Sequence, residues 1–424
     1  MSVAAGTAEL RLPRADGGLM PYVTGEPGPF EPGGPAPVSR VAFAAAHVVA
    51  DPLACDPDGP AVLDWDATLA FRRHLWAHGL AVAEAMDTAQ RGMGLDWPAA
   101  RELIRRSSAE ARACGGTIAC GAGTDHRRPE DLRSLAAIRG AYEDQCAFVE
   151  AEGAQAIVMA SRALAAVAAS PDDYREVYGA VLSGLERPAI LHWLGDMFDP
   201  ALRGYWGATD LDEAADVLLS IIADHAESVD GVKVSLLDAE REVALRRRLP
   251  AGVRLYTGDD FNYPELIAGD GEHHSDALLG VFDAIAPAAA EALRTLDAGD
   301  RGRYDALLAP TVPLARRLFE PSTLTTRPAS CSSPSCAATR TTSGWSADSR
   351  AGARSCTWRS CSCSPIAPAC CAIPRSRSPA CGTCSRSPGS RDGAAQPEST
   401  DSRGASPPWP FARADRPRNR WPTT

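Results

Sequence analysis

Short apolar runs alternate with amphipathic stretches along the middle of the chain. Eight such runs lie between residues 41 and 282, none is longer than nine residues, and most are continuous rather than alternating with polar positions. Continuous apolar runs are typical of parallel strands that are buried on both faces. The predicted strands are Val41–Val49, Gly79–Asp87, Gly116–Thr124, Ala154–Ser161, Pro188–Gly195, Gly231–Leu236, Val253–Thr257 and Ala277–Phe282.

Helical patterns separate these strands. Asp66 is the expected N-cap of the first helix, and Asp96-Trp97-Pro98 begins the second, with proline near the first helical position. The predicted helices are Asp66–His78, Ala99–Cys114, Arg133–Glu152, Pro171–Leu185, Asp210–Glu227 and Ala239–Arg248. Eight strands alternating with helices over about 250 residues predict an α/β fold, a TIM (β/α)8 barrel. A doubly wound sheet is the alternative, but no GxGxxG motif follows the first strand.

The same pattern divides the chain into three segments. Residues 1–39 are rich in proline and glycine and predict an irregular segment with a possible short hairpin around Leu10–Val23. Residues 40–320 hold the barrel and the first helices that follow it. No apolar run reaches 18 residues and no signal-peptide core is present, so a soluble, cytoplasmic protein with no membrane partner is expected.

The composition changes abruptly at Pro321. Residues 321–424 contain 20 Ser, 14 Arg, 14 Pro and nine of the 13 Cys, but no Val. Such a segment buries too little apolar surface to offset its ordering entropy, so we expect a disordered tail. A basic nucleic-acid arm and a disulfide or zinc module are two interpretations of its composition. We favour a third, a frameshift in a GC-rich gene, which truncates the C-terminal helical extension.

The tail and the rest of the chain also differ in net charge. The tail carries +9, whereas residues 1–320 carry −20. An acidic barrel does not favour nucleic acid as a partner, because the phosphate backbone attracts basic surfaces. The acidic stretch Asn262–Ser275 argues likewise against a phosphate-binding loop.

Polar residues follow most of the predicted strands. A barrel enzyme places its chemistry at the C-terminal ends of its strands, so these are the candidate positions. They are His47, Glu84, Asp87, Thr88, Gln90, Arg91, Asp125, His126, Ser161, Arg162, His192, Trp193, Asp196, Lys233, Ser235, Tyr256, Thr257, Asp259 and Asp260.

Lys233 is the most specific of these candidates. Of the 43 basic residues in the chain it is the single lysine, and it lies inside an apolar strand. Arginine supplies charge and hydrogen bonds but does not lose a proton to become a nucleophile. Burial favours the neutral amine of a lysine, which can attack a carbonyl carbon and form a Schiff base. The alternative is a structural lysine paired with an acid.

A metal site is the competing chemistry. Asp125, His126, His192, Glu84 and Asp259 offer oxygen and imidazole ligands. No HxH or HExxH spacing supports them, so no metal and no other cofactor are predicted.

Several segments resemble the dihydrodipicolinate synthase and N-acetylneuraminate lyase superfamily of class I aldolases. Gly231-Val232-Lys233 resembles that family's G-[IV]-K strand, Ala119–Thr124 its AGxG turn, and Gly258-Asp259-Asp260 its GDD strand. The segment Ala83–Gly92 is more similar to an uncharacterised dihydrodipicolinate-synthase-like branch. The resemblance covers roughly residues 40–320 and implies a Schiff-base lysine at Lys233.

The chain also departs from this family. The GTTGE motif, whose hydroxyls hold the carboxylate of a 2-oxo acid, is absent, and Thr88 and Arg91 are candidate substitutes. His192 or Trp193 replaces the proton-relaying tyrosine, and His192 can act as a general acid or base near neutral pH.

These observations predict a class I aldolase, lyase or dehydratase that acts on a small 2-oxo acid or a sugar-derived carbonyl compound. Predicted catalytic residues are Lys233, His192 and Thr88, and predicted substrate-binding residues are Glu84, Arg91, Asp125, His126, Asp196, Asp259 and Asp260. A metal-dependent barrel lyase or isomerase is the alternative, and an inactive truncated barrel is the second alternative. The expected partner is a small-molecule substrate, with homo-oligomerisation possible but weakened by the altered C-terminus.

Overall fold

A computed structural model describes residues 9–13, 18–24, 30, 32–49, 62–92 and 94–319. The predicted disordered tail, residues 321–424, lies outside the described residues. Within the described ranges, no helix is both long enough and apolar enough to cross a membrane.

The first described residues form a two-stranded antiparallel hairpin. Strand β1 (Glu9–Pro13) pairs with β2 (Leu19–Val23), with Leu10 opposite Tyr22. This confirms the hairpin that the sequence predicts around Leu10–Val23.

Eight parallel strands form a closed barrel. They are β3 (Ala42–Ala45), β4 (Ala81–Glu84), β5 (Ile118–Ala122), β6 (Gln155–Val158), β7 (Ala189–Leu194), β8 (Val229–Ser235), β9 (Arg254–Thr257) and β10 (Asp276–Leu279). Neighbours in the sheet are neighbours in the chain, and β10 pairs with β3 to close the circle. All eight predicted strands are confirmed, although most are shorter than the apolar runs that indicated them.

Within the part of the chain that the structure describes, eleven α-helices accompany the strands. They are α1 (Trp65–Ala77), α2 (Trp97–Cys114), α3 (Leu135–Ala151), α4 (Arg162–Val167), α5 (Pro171–Ser183), α6 (Leu211–Asp224), α7 (Ala239–Arg246), α8 (Tyr263–Ala268), α9 (Phe282–Asp297), α10 (Arg301–Leu308) and α11 (Val312–Leu318). Asp96 caps α2 as predicted, by accepting from the Ala99 N–H. The predicted cap of α1 is wrong, because Asp64 accepts from the Ala67 N–H and Asp66 lies in the first turn.

Side chains alternate between the inside and the outside of the barrel. Ile190 packs inside with Phe43, Tyr256 and Leu278, whereas Leu191 and Trp193 pack outward against the helices. Successive residues of a strand point to opposite faces, so His192 faces inward like Ile190. The same rule places Lys233 inside, because Val232 and Val234 belong to the outer cluster.

The last helices cover one side of the barrel. Helix α9 and α11 pack with Ala44 of β3, Leu279 of β10 and Phe71 of α1. Helix α9 begins at Phe282, where the sequence predicts the end of a strand, and its backbone is irregular at Ile285 shortly before Pro287. Proline inside a helix lacks the N–H that would bond to the carbonyl of residue i−4, here Asp283, and its ring clashes with that carbonyl, so this turn of the helix is distorted. The chain then reaches Phe319 at the mouth of the barrel.

Candidate active site

A small pocket opens at the C-terminal ends of the barrel strands and contains Lys233. The pocket, of about 300 Å³ including space open to solvent, is lined by Asp87, Thr88, Leu194, Phe198, Lys233, Ser235, Gly258, Asp260, Gly280 and Phe319. Lys233 is only 5% exposed. Three predicted site residues, Lys233, Thr88 and Asp260, therefore lie together in one cavity.

Two glycines leave the space around the lysine. A Cβ atom at Gly258 would lie 2.9 Å from Cε of Lys233 and 2.8 Å from the Val234 carbonyl oxygen. A Cβ atom at Gly280 would lie 2.8 Å from Cζ of Phe319. A side chain at either position would force the lysine, the backbone or the phenyl ring to move, which explains glycine at both strand ends.

His192 reaches the pocket through a serine. His192 lies beside Lys233 in the β7–β8 register, and its Nε2 is 3.3 Å from Oγ of Ser235. His192 is 2% exposed and does not itself line the pocket, whereas Ser235 does. Trp193 points outward, with its ring centroid 6.4 Å from that of Trp206. Of the two residues predicted to replace the family's tyrosine, the structure thus places His192 inside the barrel.

Two carboxyl groups share the pocket with Lys233. Asp260 is 5% exposed, and its Oδ1 accepts a hydrogen bond from the Val281 N–H at 2.8 Å. Burial raises the pKa of Asp260 to about 7; Asp259 and Asp87 raise it further, while Lys233 and the Val281 N–H oppose the shift. Because this pKa lies near neutral pH, Asp260 is able both to give and to accept a proton there.

Arg91 and Asp125 lie in a different cluster. Arg91 donates Nε–H and one Nη2–H to the two oxygens of Asp125 at 2.9 and 2.7 Å. Its Nη1 donates to the carbonyls of Gly121 at 2.6 Å and Ala85 at 3.3 Å, and Nη2 also donates to Gln145. These contacts engage all five guanidinium donors. The geometry therefore does not support the predicted role of this pair in binding substrate.

The environment of Asp125 fits a structural role. Burial raises the pKa of its carboxyl, but hydrogen bonds and the charge of Arg91, with a further bond from Gln145, outweigh burial and lower the pKa to about 2. Gln145 also lies 2.9 Å from Nδ1 of His126, whose Nε2 is 3.3 Å from Asp144. Cζ of Arg91 lies 5.1 Å from the centroid of the Trp97 ring. His126 thus belongs to this cluster rather than to the lysine pocket.

Glu84 is held in a buried ion pair. Its two carboxylate oxygens each accept from Arg72 at 2.8 Å, and both side chains are 0% exposed. Arg72 also donates to the His47 carbonyl, and Nδ1 of His47 lies 3.1 Å from Asp283. This polar layer connects α1, β4 and α9. The predicted contact of Glu84 with substrate is not supported by this geometry.

Asp259 shapes the loop that follows β9. Its Oδ1 accepts from the N–H groups of Phe261 at 2.8 Å and Asn262 at 3.0 Å, and its Oδ2 accepts from the Asn262 side chain at 2.8 Å. At 1% exposure, Asp259 closes a turn while its neighbour Asp260 enters the pocket. The geometry places only the second member of the predicted pair at the candidate site.

Asp196 lines a second cleft on the rim. This cleft, of about 650 Å³ including open solvent, lies between β7 and α6 and includes Trp193, Arg203 and Tyr205. Lys233 is not among its lining residues. Asp196 is exposed and does not share a cavity with the lysine.

The residues that suggested a metal site are dispersed among these contacts. Among the described residues, no group of three or more His, Cys, Asp or Glu side chains is arranged to hold a metal ion. The pocket also contains Asp87 and Ser235, two of the candidate strand-end positions to which the sequence assigned no catalytic or binding role. Both residues lie at strand ends, but so do many residues that do not line this pocket, so position at a strand end could not identify them.

The fold is similar to that of solved dihydrodipicolinate synthases. The enzyme from Bacillus anthracis is 13% identical, with 79% of this chain and 98% of that chain covered and a TM-score of 0.57. The enzyme from Aquifex aeolicus is 13% identical, covering 74% and 95%, with a TM-score of 0.54. A putative dihydrodipicolinate synthetase from Pseudomonas aeruginosa is 17% identical, covering 69% and 88%, with a TM-score of 0.53. This likeness confirms the predicted barrel fold.

A family model described as protein of unknown function (DUF993) matches residues 10–327. The match ends close to Pro321, where the composition changes. Comparison with curated proteins finds no match.

Proposed function

This chain belongs to the DUF993 family of proteins of unknown function, and we propose that it is a class I lyase, aldolase or dehydratase whose Lys233 forms an imine with a small carbonyl substrate. The observation that carries this proposal is the position of Lys233. The single lysine of the chain faces the inside of the barrel and lines a pocket with Thr88, Ser235 and Asp260.

Imine formation needs a nucleophile and a proton carrier, and the pocket supplies both. The neutral amine of Lys233 attacks the carbonyl carbon, a C–N bond forms as the C=O π bond breaks, and the oxygen takes up a proton as the nitrogen releases one, which gives a neutral carbinolamine. A second proton lets that oxygen leave as water, which produces the iminium ion. Asp260 lines the same pocket and has a pKa of about 7, so it suits both proton transfers.

The iminium ion then accepts the electrons of a breaking bond. In aldol cleavage, a base removes the proton of a hydroxyl group on the β-carbon, two bonds from the iminium carbon. The bond between the α-carbon and the β-carbon then breaks, the β-carbon leaves as a carbonyl compound, and the iminium ion becomes an enamine. The enamine takes up a proton, and water hydrolyses the resulting imine to regenerate Lys233. Ser235 and His192, at 3.3 Å from each other, form a second proton route into the pocket.

Borohydride trapping tests this proposal. Reduction of the imine by hydride leaves a stable secondary amine, and peptide mapping locates it. We expect one adduct, on the peptide that contains Lys233, after incubation with a small ketone such as dihydroxyacetone or pyruvate. Lys233→Arg should abolish the adduct while keeping the positive charge, because guanidinium stays protonated.

The chain provides an internal control for this experiment. The other primary amine of the protein as prepared is its N-terminal α-amine, so an adduct on the N-terminal peptide measures non-specific reaction. Absence of any adduct on Lys233 with either ketone contradicts the proposal. Turnover that persists in Lys233→Arg and disappears with a chelator would instead support the metal-dependent alternative.

A further inference from the structure

The pocket around Lys233 has an acidic lining. Asp87 and Asp260 both line it, and Lys233 is the one basic residue among the described residues that do so. Asp87 is half-buried, and Asp260, which is 5% exposed and has a pKa of about 7, is ionised in part at neutral pH, so water does not fully screen the negative charge of this pocket. Arg91, the candidate partner of a substrate carboxylate, has all five donors engaged outside this pocket.

This charge distribution disfavours a 2-oxo acid. The carboxylate of a 2-oxo acid is bonded directly to the carbonyl carbon that Lys233 attacks. It must therefore enter the same small pocket as Asp87 and Asp260. Like charges at short range in a site with little water repel each other, and two carboxylates sharing a site disfavour the ionised form of one of them.

The same lining suits hydroxyl groups. Carboxylates accept hydrogen bonds from O–H donors, and the hydroxyls of Thr88 and Ser235 both donate and accept. Leu194, Phe198 and Phe319 add apolar surface that can pack against a short carbon chain. Resting on the proposed imine chemistry, we propose that the substrate is an uncharged hydroxy-carbonyl compound, a small sugar or sugar-derived ketone, in preference to a 2-oxo acid.

A competition between two three-carbon ketones tests this inference. Dihydroxyacetone is neutral and carries hydroxyl groups, whereas pyruvate is similar in size and carries a carboxylate. Both are offered together to the full chain at equal concentration, borohydride is added, and the two adducts on Lys233 are distinguished by mass. Dividing each adduct by the corresponding adduct on the N-terminal α-amine removes the difference in intrinsic reactivity. We expect the dihydroxyacetone adduct to dominate by about tenfold or more, from the repulsion of one partly buried carboxylate.

Substitutions of Asp87 and a control substitution on the surface locate the cause of the preference. Asp87→Asn removes one negative charge with little change in shape, and we expect the adduct ratio to shift toward pyruvate by about tenfold. Asp87→Ser is a second replacement if the asparagine variant does not fold. Glu176→Gln removes one charge from the exposed surface of α5 and should leave the ratio unchanged.

The outcomes separate this inference from the proposed function. A pyruvate adduct on Lys233 that dominates in the parent protein overturns the inference and keeps the imine chemistry. A ratio that does not move in either Asp87 variant overturns the role of the acidic lining. Absence of any Lys233 adduct with both ketones contradicts the proposed function itself.

Discussion

Two polar clusters stand at the C-terminal ends of the barrel strands, and they differ in whether their side chains line a cavity. Around Arg91, every guanidinium donor meets a protein acceptor, and Glu84 is likewise paired with Arg72. Around Lys233, several polar side chains instead face a common cavity between β8 and β10. Polar residues at strand ends therefore serve two purposes, and the position of their side chains, in a network of protein contacts or along a cavity, distinguishes the structural cluster from the candidate reactive one.

The largest expected effect is on the structural side. Arg72→Met leaves the Glu84 carboxylate buried without its bidentate partner, so we expect the free energy of unfolding to fall by about 3–5 kcal/mol. Arg73→Met is the matched control on the same helix, because Arg73 pairs with Glu110 while 48% exposed. An exposed pair contributes about 0–1 kcal/mol. Equal losses for the two variants, measured by urea unfolding, would contradict the assignment of Glu84 to a structural pair.

The buried carboxyl group of Glu242 should make the stability of the folded protein depend on pH. Burial raises its pKa from 4.5 to about 8, although Ser275 and Thr257 donate to it at 2.7 and 3.0 Å. Between these two values the folded protein holds a proton that the unfolded chain has released, so stability falls as pH rises.

Glu242→Gln removes this proton exchange. The fall in the free energy of unfolding between pH 5 and 8 should then be smaller than in the parent protein, by on the order of 3 kcal/mol. A serine or threonine hydroxyl can rotate to accept from the new amide. Urea unfolding at pH 5, 6, 7 and 8 measures how the free energy of unfolding changes with pH in the parent protein and in the variant. Equal changes in the two proteins would show that Glu242 is ionised in the folded protein.

Arg91 allows a direct test of the difference between the clusters. Arg91→Met removes the hydrogen bonds that Arg91 donates to Asp125 and to the carbonyls of Gly121 and Ala85, while Asp125 keeps its bond from Gln145, which should cost about 2 kcal/mol of stability. The fraction of Lys233 trapped by borohydride should stay unchanged at a temperature where the variant is folded. Loss of trapping in a folded Arg91→Met protein would mean that Arg91 contacts substrate, as the sequence predicts.

Ser235 should show the reverse behaviour. Ser235→Ala interrupts the contact to His192 and should slow imine formation about tenfold, while changing stability by about 1 kcal/mol or less. The pH profile of the trapping rate separates proton transfer from simple packing. A profile that keeps its shape in Ser235→Ala would assign this serine a structural role.

The sequence predicts much of this architecture because its signals are local. Continuous apolar runs indicate the strands, and the alternation along β7 and β8 explains why His192 and Lys233 face inward. The partners of Glu84 and Arg91 come from elsewhere: Arg72 lies on α1 and Gln145 on α3. Spacing along one strand cannot show that a distant helix supplies the partner, so saturated side chains resembled substrate-binding ones.

The pocket lining was harder to predict for the same reason. Asp259 and Asp260 are adjacent, yet one closes a turn and the other enters the cavity, which depends on the path of the loop. Phe319 reaches the pocket from the C-terminal end of α11, although it is remote in sequence from Lys233. Such contacts follow from packing of the C-terminal helices and leave no local pattern.

A crystal structure of the borohydride-reduced protein tests the central claim most directly. After reduction in the presence of dihydroxyacetone, we predict continuous electron density from Nζ of Lys233 to the central carbon of the compound. Its hydroxyl groups should contact Asp87, Thr88 or Asp260, which line the same pocket. An unmodified Lys233, with the compound bound beside Arg91 or in the cleft near Asp196, would contradict the assignment of Lys233 as the nucleophile.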